Sequence, residues 1–337
     1  QPTGRKNLVI NGAMQVAQRG TSETGVTSFG YVACDRYLFE PENAGTWTVS
    51  QSTDAPTGFS NSYKLDCTTA DASLSAGDFV MVQQRFEGQD LQHLEKGTSS
   101  AKSLTASFWV KSSKTGTYIV EIDDNDNARN INKSYTINAA NTWEYKTITF
   151  EGDTTGTLGN DNGHSLRIIF WLAAGSTYSS GTLATSWQST TNANRAVGQV
   201  NLADNTNNDW YITGVQLEVG STATEFEHRS FGEELDLCKR YYSRNYVAGG
   251  GCWGGGSGQV PIIGYTFPRD MRVGPTIAWI SGGSASDGSA DYSVTGFTSY
   301  QNSTGASARI LFTSGRSDAL SEGCDVSNAL VEFKAEL

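Results

Sequence analysis

The chain has 337 residues, of which 37% are hydrophobic, 11% aromatic and only 18% charged, with 37 glycines. Its 35 acidic and 24 basic side chains leave a net charge of −11. With no run of Lys and Arg to neutralise phosphates, nucleic acid is excluded as a partner. No apolar run approaches the ~20 residues that span a bilayer, so membrane insertion is excluded as well.

Five cysteines at wide, irregular spacings (Cys34, Cys67, Cys238, Cys252 and Cys324) contain no C-x-x-C. They suit neither a disulfide framework nor a zinc site. Abundant Gly, Ser, Thr and Asn point to an all-β chain with many turns. No charged and apolar leader opens the sequence, so the expectation is folding in a bacterial cytoplasm and release by lysis.

Residues 1–30 carry Leu8-Val9-Ile10 and then a polar loop. They read as an N-terminal arm that docks on another subunit, or equally as a first edge strand. Residues 31–220 then supply about eight strands without βα alternation, which predicts a two-sheet antiparallel sandwich. In 104–111, Leu104, Ala106, Phe108 and Val110 share one face, and Thr105, Ser107, Trp109 and Lys111 share the other. Leu166 to Leu172 is nearly continuous in apolar residues. It is expected at the centre of a sheet, buried on both faces. Trp143 and Trp171 are expected in the core. Residues 173–208 form a long Ser/Thr/Asn/Gly segment with Tyr178 and Trp187, the kind of loop in which binding tends to reside.

At Asp209 the pattern returns to a strand, stopped by Gly220-Ser221. A linker helix is expected within 221–244. Ser230 and Glu233 make an S-x-x-E capping box, and Phe231, Leu235, Cys238 and Tyr242 form an apolar stripe at spacings of 4, 3 and 4. Residues 245–337 open on a glycine cluster around Trp253 and then read as a second, small β-sandwich. The fold class is therefore an antiparallel jelly-roll sandwich, a short linker helix and a second β-sandwich. The domains are 1–30, 31–220, 221–244 and 245–337.

Three segments carry a family resemblance. Gln216 to Gly220, followed by Glu225-Phe226-Glu227-His228-Arg229-Ser230 and Cys238-Lys239-Arg240-Tyr241-Tyr242, resembles a stretch common in tail-fibre and appendage proteins of tailed bacteriophages. Asn7 to Met14, with Gln18-Arg19-Gly20 and Asp35-Arg36-Tyr37, resembles the opening of the same proteins. Pro268 to Ile277 resembles a segment of their C-terminal domains. The strand order over about residues 100–220 is further similar to that of jelly-roll carbohydrate-binding modules. The resemblance implies a virion protein, a homotrimer in contact with other tail or capsid proteins, that recognises a host-surface polysaccharide. A decoration or connector protein without receptor contact is the alternative.

His93, His164 and His228 are scattered and not spaced as metal ligands. The chain has no G-x-S-x-G elbow, H-E-x-x-H or P-loop, so no enzyme is expected and no catalytic residue is assigned. Asp123, Asp124 and Asp126 offer hard oxygen ligands for Ca²⁺, set against a solvated turn; no other cofactor is expected. For ligand contact the residues singled out are Trp109, Tyr178 and Trp187, since sugar rings stack on exposed aromatic faces.

Overall fold

The structure is a computed structural model that describes residues 6–250, 252–253, 260–267, 269–286, 291–299, 307–314 and 325–337. It divides into two compact units, residues 1–235 with Leu337, and residues 236–336.

The first unit holds thirteen strands: β1 (Ser22–Val26), β2 (Gly30–Tyr31), β3 (Leu38–Glu42), β4 (Thr46–Ser52), β5 (Ser62–Thr69), β6 (Phe79–Glu87), β7 (Leu104–Ser112), β8 (Gly116–Asp124), β9 (Arg129–Ile137), β10 (Glu144–Phe150), β11 (His164–Ala174), β12 (Gln188–Ser189) and β13 (Asp209–Val219). They form two antiparallel sheets, β1-β4-β5-β13-β7-β10 and β12-β9-β8-β11-β6-β3-β2. Apart from β4-β5, β8-β9 and β2-β3 the neighbours are non-consecutive, which makes this a jelly-roll sandwich.

Alternation decides what lies between the sheets. Leu104, Ala106, Phe108 and Val110 of β7 face inward and are buried. Phe108 packs edge-on against Phe170 of β11 at 5.1 Å and Tyr135 of β9 at 5.2 Å between ring centroids. Each such fully buried side chain stabilises the fold by roughly 1.5–3 kcal/mol. β11 lies between β8 and β6 and is buried on both faces.

That second burial comes from a third layer. Met81, Ile119, Ile169 and Trp171, on the outer face of the second sheet, pack with Ala196 and with Tyr178 and Leu183. Tyr178 stands on a single helical turn, α1 (Ser176–Ser179), with its ring 5.3 Å from Phe79 and 5.4 Å from Trp171. Arg195 lies under the same cover. Its Nε donates to Glu121 Oε1 at 2.9 Å, and Trp171 Nε1 donates to Glu121 Oε2 at 2.7 Å. Burial raises the Glu121 pKa and the neighbouring Arg195 opposes that rise. The long polar segment thus folds down as a lid on a sheet, because the sheet beneath it is apolar.

Residues 6–26 lie against the first sheet. From Lys6 they run beside the second half of β13, whose first half is paired with β5. Leu8 N–H donates to Leu217 O at 2.9 Å, and Val215 N–H to Gly12 O at 2.9 Å. Asn7 Nδ2 reaches Val215 O, and Leu217 N–H reaches Asn7 Oδ1. A Cβ on Gly12 would stand 2.2 Å from Val215 O, so this close approach requires glycine. Val9 and Met14 are fully buried. The side chains of Cys34, Cys67 and Cys238 are buried.

α2 (Phe231–Lys239) is opened by the expected capping box. Ser230 N–H donates to Glu233 Oε2 at 2.9 Å, and Glu233 N–H to Ser230 Oγ at 3.3 Å. The apolar stripe differs from the expectation. Phe231 is exposed, Leu235 is half-buried, Cys238 is buried, and Tyr242 lies beyond the helix as the first residue of a strand. The inward position in the first turn belongs to Glu234, which is buried and accepts from Asn11 N–H at 2.5 Å and from Arg229. A buried carboxylate with two donors is satisfied, and this frees Phe231 from the interior. The boundary between the units falls within α2.

The second unit contains β14 (Tyr242–Gly250), β15 (Cys252–Trp253), β16 (Val260–Thr266), β17 (Thr276–Ser286), β18 (Asp291–Ser299), β19 (Ser307–Ser314) and β20 (Asp325–Lys334). They are hydrogen-bonded in the order β14-β20-β17-β18-β19-β16-β15. Tyr265 of β16 nevertheless stacks on Phe333 of β20 at 5.0 Å, so the sheet curls over one core with Val247, Phe267, Val331 and Phe333. β14 takes in Gly249 and Gly250, where the sequence suggested a loop; its partner β20 alternates well enough to template it. The rest of the glycine cluster (251, 254–256) and Pro268 lie outside the described residues.

Candidate functional site: an aromatic-floored depression on the first sheet

Among the described residues, part of the outer face of the first sheet stays open as a depression. Its floor follows from the alternation of β7 and β10. Trp109 lies directly opposite Tyr145, and Ser107 opposite Thr147, all pointing away from the core. The Trp109 and Tyr145 ring centroids are 5.4 Å apart at 50°, and Tyr145 is 47% exposed. The floor belongs to a depression of about 840 Å³, within the range of small-molecule sites.

A bulge sets one end. In β13, Thr213 opposes Trp109 while Gln216 opposes Ser107, so Gly214 and Val215 share one position. Gly214 adopts φ +62°, and a Cβ there would stand 2.6 Å from Phe59 Cζ. Only glycine combines this left-handed backbone with the ring above it. The bulge also shifts the strand's phase. Trp210 and Ile212 point into the core before it, and Val215 and Leu217 after it. Phe59 meets Phe226 at 5.1 Å and His228 at 5.3 Å, and those two rings lie 4.8 Å apart.

The adjoining wall is the stretch 221–228, folded back over β13. Polar side chains of β13 hold it. Thr224 N–H and Oγ1 both donate to Glu218 at 2.8 Å, and Glu227 N–H donates to Gln216 Oε1 at 2.8 Å. Lys6 Nζ donates to Thr224 Oγ1 at 2.7 Å and also to Glu225 O. Arg229 reaches Asn7 O at 2.6 Å and Val9 O at 3.2 Å. Parts of two of the three sequence segments that carry the phage-appendage resemblance, around residues 6–12 and 216–229, therefore form one hydrogen-bonded clasp, and the clasp builds the wall.

Of the three residues singled out for ligand contact, Trp109 lies in the depression. Tyr178 is packed under the cover of the second sheet. Trp187 packs against the core edge, donating from Nε1 to Glu151 O at 2.6 Å. Trp143, expected in the core, is half-buried on the outer face and donates to Asp54 Oδ1 at 3.1 Å. Tyr145, Phe59, Phe226 and the hydroxyls of Ser107 and Thr147 were not marked by the sequence. The alternation Trp143-Tyr145-Thr147 was visible, but its register against Trp109 was not.

The calcium candidates are resolved by geometry. Asp123 and Asp124 are neighbours on β8 and so face opposite sides of the sheet. Asp123 pairs with Arg167 Nε at 2.8 Å. Asp124 pairs with Lys96 Nζ at 2.5 Å, and Asp126 accepts from Gly159 N–H at 2.9 Å. They do not converge on a common centre. Among the described residues no three His, Cys, Asp or Glu side chains are grouped as metal ligands, and no helix is long and apolar enough to cross a membrane.

The first unit is thus an all-β jelly-roll sandwich with an open, aromatic-floored depression on one face. No protein-family model matches the sequence, and no curated protein matches it. Among solved structures the chain is similar to the enzymatically active domain of bacteriophage CBA120 tailspike protein 4, with 15% identity and a TM-score of 0.33. That match covers 63% of this chain and 21% of the tailspike structure. It is also similar to the C-terminal family 22 carbohydrate-binding module of Clostridium thermocellum Xyn10B, at 11% identity over 60% of this chain and 98% of that one, TM-score 0.31. A family 11 carbohydrate-binding module from Clostridium thermocellum matches at 13% identity over 62% of this chain and 99% of that one, TM-score 0.29. At these identities and scores, nothing about ligands passes from those proteins to this chain.

Proposed function

We propose that the first unit binds a cell-surface glycan in the depression, without catalysis, and that the chain is an appendage protein of a tailed phage. The observation that carries the glycan reading is the Trp109–Tyr145 floor, half-buried at Trp109 and exposed at Tyr145, with hydroxyls beside it. Aromatic faces cover the apolar faces of sugar rings, and the exposed Thr147 and Thr222 supply short donors and acceptors at the edges. The non-catalytic reading is supported by the lining, which among the described residues carries a single carboxylate, Glu225. Hydrolysis of glycosides generally uses two. The virion role is supported by the sequence resemblance, parts of two of whose three segments form the clasp. A homotrimer on the particle would link several weak sites and raise their effective concentration.

A glycan array on the purified chain tests the binding. Trp109→Ala and Tyr145→Ala are each expected to weaken the best ligand about tenfold, near 1.4 kcal/mol. Full binding by both variants, or no binding to any glycan by the folded protein, removes the glycan reading. Localisation of the chain on a phage particle tests the virion role separately, and burial of the depression against other virion proteins would favour a connector.

A further inference from the structure

The floor continues beyond the depression. Two residues further along β7, Lys111 lies opposite Tyr211 of β13, and Tyr211 lies opposite Lys64 of β5. Trp143 completes this second row beside β10, its ring 6.1 Å from Tyr211 and 5.4 Å from the Lys111 ammonium. The Lys111 ammonium is also 4.2 Å from the centre of the Tyr211 ring. The two rows are about 6.8 Å apart along the strand, and each presents an indole on the same outer face.

The second row contains cations, but each is already matched. Lys111 is hydrogen-bonded to Asp54, which also accepts from Trp143 Nε1. The hydrogen bond from Lys111, helped by Trp143 and opposed by burial, holds the Asp54 carboxyl below the ordinary aspartate range. Lys64 stands 3.5 Å from Asp66, and the Tyr211 hydroxyl donates to Asp209 at 3.1 Å. The row therefore contains two ammonium groups and three carboxylates. The depression itself is lined by Glu225 and by no Lys or Arg. An acidic sugar would meet no unmatched cation here, and it would approach a chain of net charge −11.

We infer that the ligand is a neutral oligosaccharide long enough to lie across both rows, with one sugar face on Trp109 and a further one on Trp143. This rests on the glycan reading above. The test is titration calorimetry of the full chain against neutral oligosaccharides of two to six sugars and against uronic-acid chains of matched length. At low salt, neutral chains are expected to bind at least tenfold more tightly than acidic ones. Affinity is expected to rise with length. Trp143→Ala should remove that rise while leaving the shortest ligands within about twofold of wild type. Trp143→Leu, which keeps bulk without an aromatic face, should do the same if the alanine variant proves unstable. Acidic chains binding as well as neutral ones, or length dependence intact in a folded Trp143 variant, would overturn the inference and leave the glycan reading standing. Absence of binding to any chain would instead remove the glycan reading, and this inference with it.

Discussion

Lys96→Met should destabilise the first unit more than any surface change. The Lys96 ammonium is 2.5 Å from Asp124 Oδ2 and 3.0 Å from Asp153 Oδ2. It donates further to Thr155 O at 2.9 Å and Gly156 O at 3.0 Å. Its side chain is 5% exposed, those of Asp124 and Asp153 0% and 3%. Removing the cation strands two buried carboxylates, a change that typically costs about 3–5 kcal/mol. Arg129 still holds Asp153 through contacts of 2.7 and 3.1 Å, and Asn127 still donates to Asp124. The lower figure, about 3 kcal/mol, is therefore expected. For a unit of this size that is a fall in Tm of about 6–12 °C, read by calorimetry. Acidification gives an internal control. Burial opposes the charge on Asp153, but hydrogen bonds from Arg129 and Lys96 outweigh it and hold its pKa below the ordinary value. With the folded pKa depressed, the stabilisation is whole above about pH 3.9 and is lost as pH falls through the folded value. The gap between wild type and variant should thus hold at neutral pH and narrow below about pH 4. A variant Tm within about 2 °C of wild type at pH 7 would refute the buried-cation account.

Three further outcomes are expected. Lys96→Ala leaves four oxygens of the kind Ca²⁺ takes, so millimolar Ca²⁺ should raise that variant's Tm and not the wild type's. Gly214→Ala places a β-carbon against Phe59 in a left-handed backbone; denaturant titration should show a loss of at least about 1–2 kcal/mol, with glycan affinity falling as Phe59 is displaced. His164 is pushed down to about 3, first by burial and then by Arg85 and Arg167. Because its folded value lies below the unfolded ~6.5, stability should fall by up to about 1.4 kcal/mol per unit as pH drops below 6.5. The partly exposed ring makes that an upper bound. A His164→Gln variant with an unchanged acid limb would refute this assignment.

Local chemistry was legible wherever neighbours in sequence are also neighbours in space. Alternation in 104–111 separated the core face from the face bearing Trp109, and the S-x-x-E spacing named the cap of α2. The apolar run 166–172 announced a doubly buried strand, because only a central strand removes both of its faces from water. Beyond a few residues these signals fail. The bulge at Gly214 depends on a ring brought from residue 59, and the Trp109–Tyr145 floor depends on a register set across 36 positions of chain. The polar segment 173–208 looked like a binding loop because composition does not say what lies beneath it; an apolar sheet face does, and it drew Tyr178 inward. The aspartates at the end of β8 were legible as oxygen ligands. That Asp124 meets Lys96, 28 residues earlier, and Asp123 meets Arg167, 44 residues later, was decided only when the chain folded, since an ion pair selects by distance in space and sequence records only order.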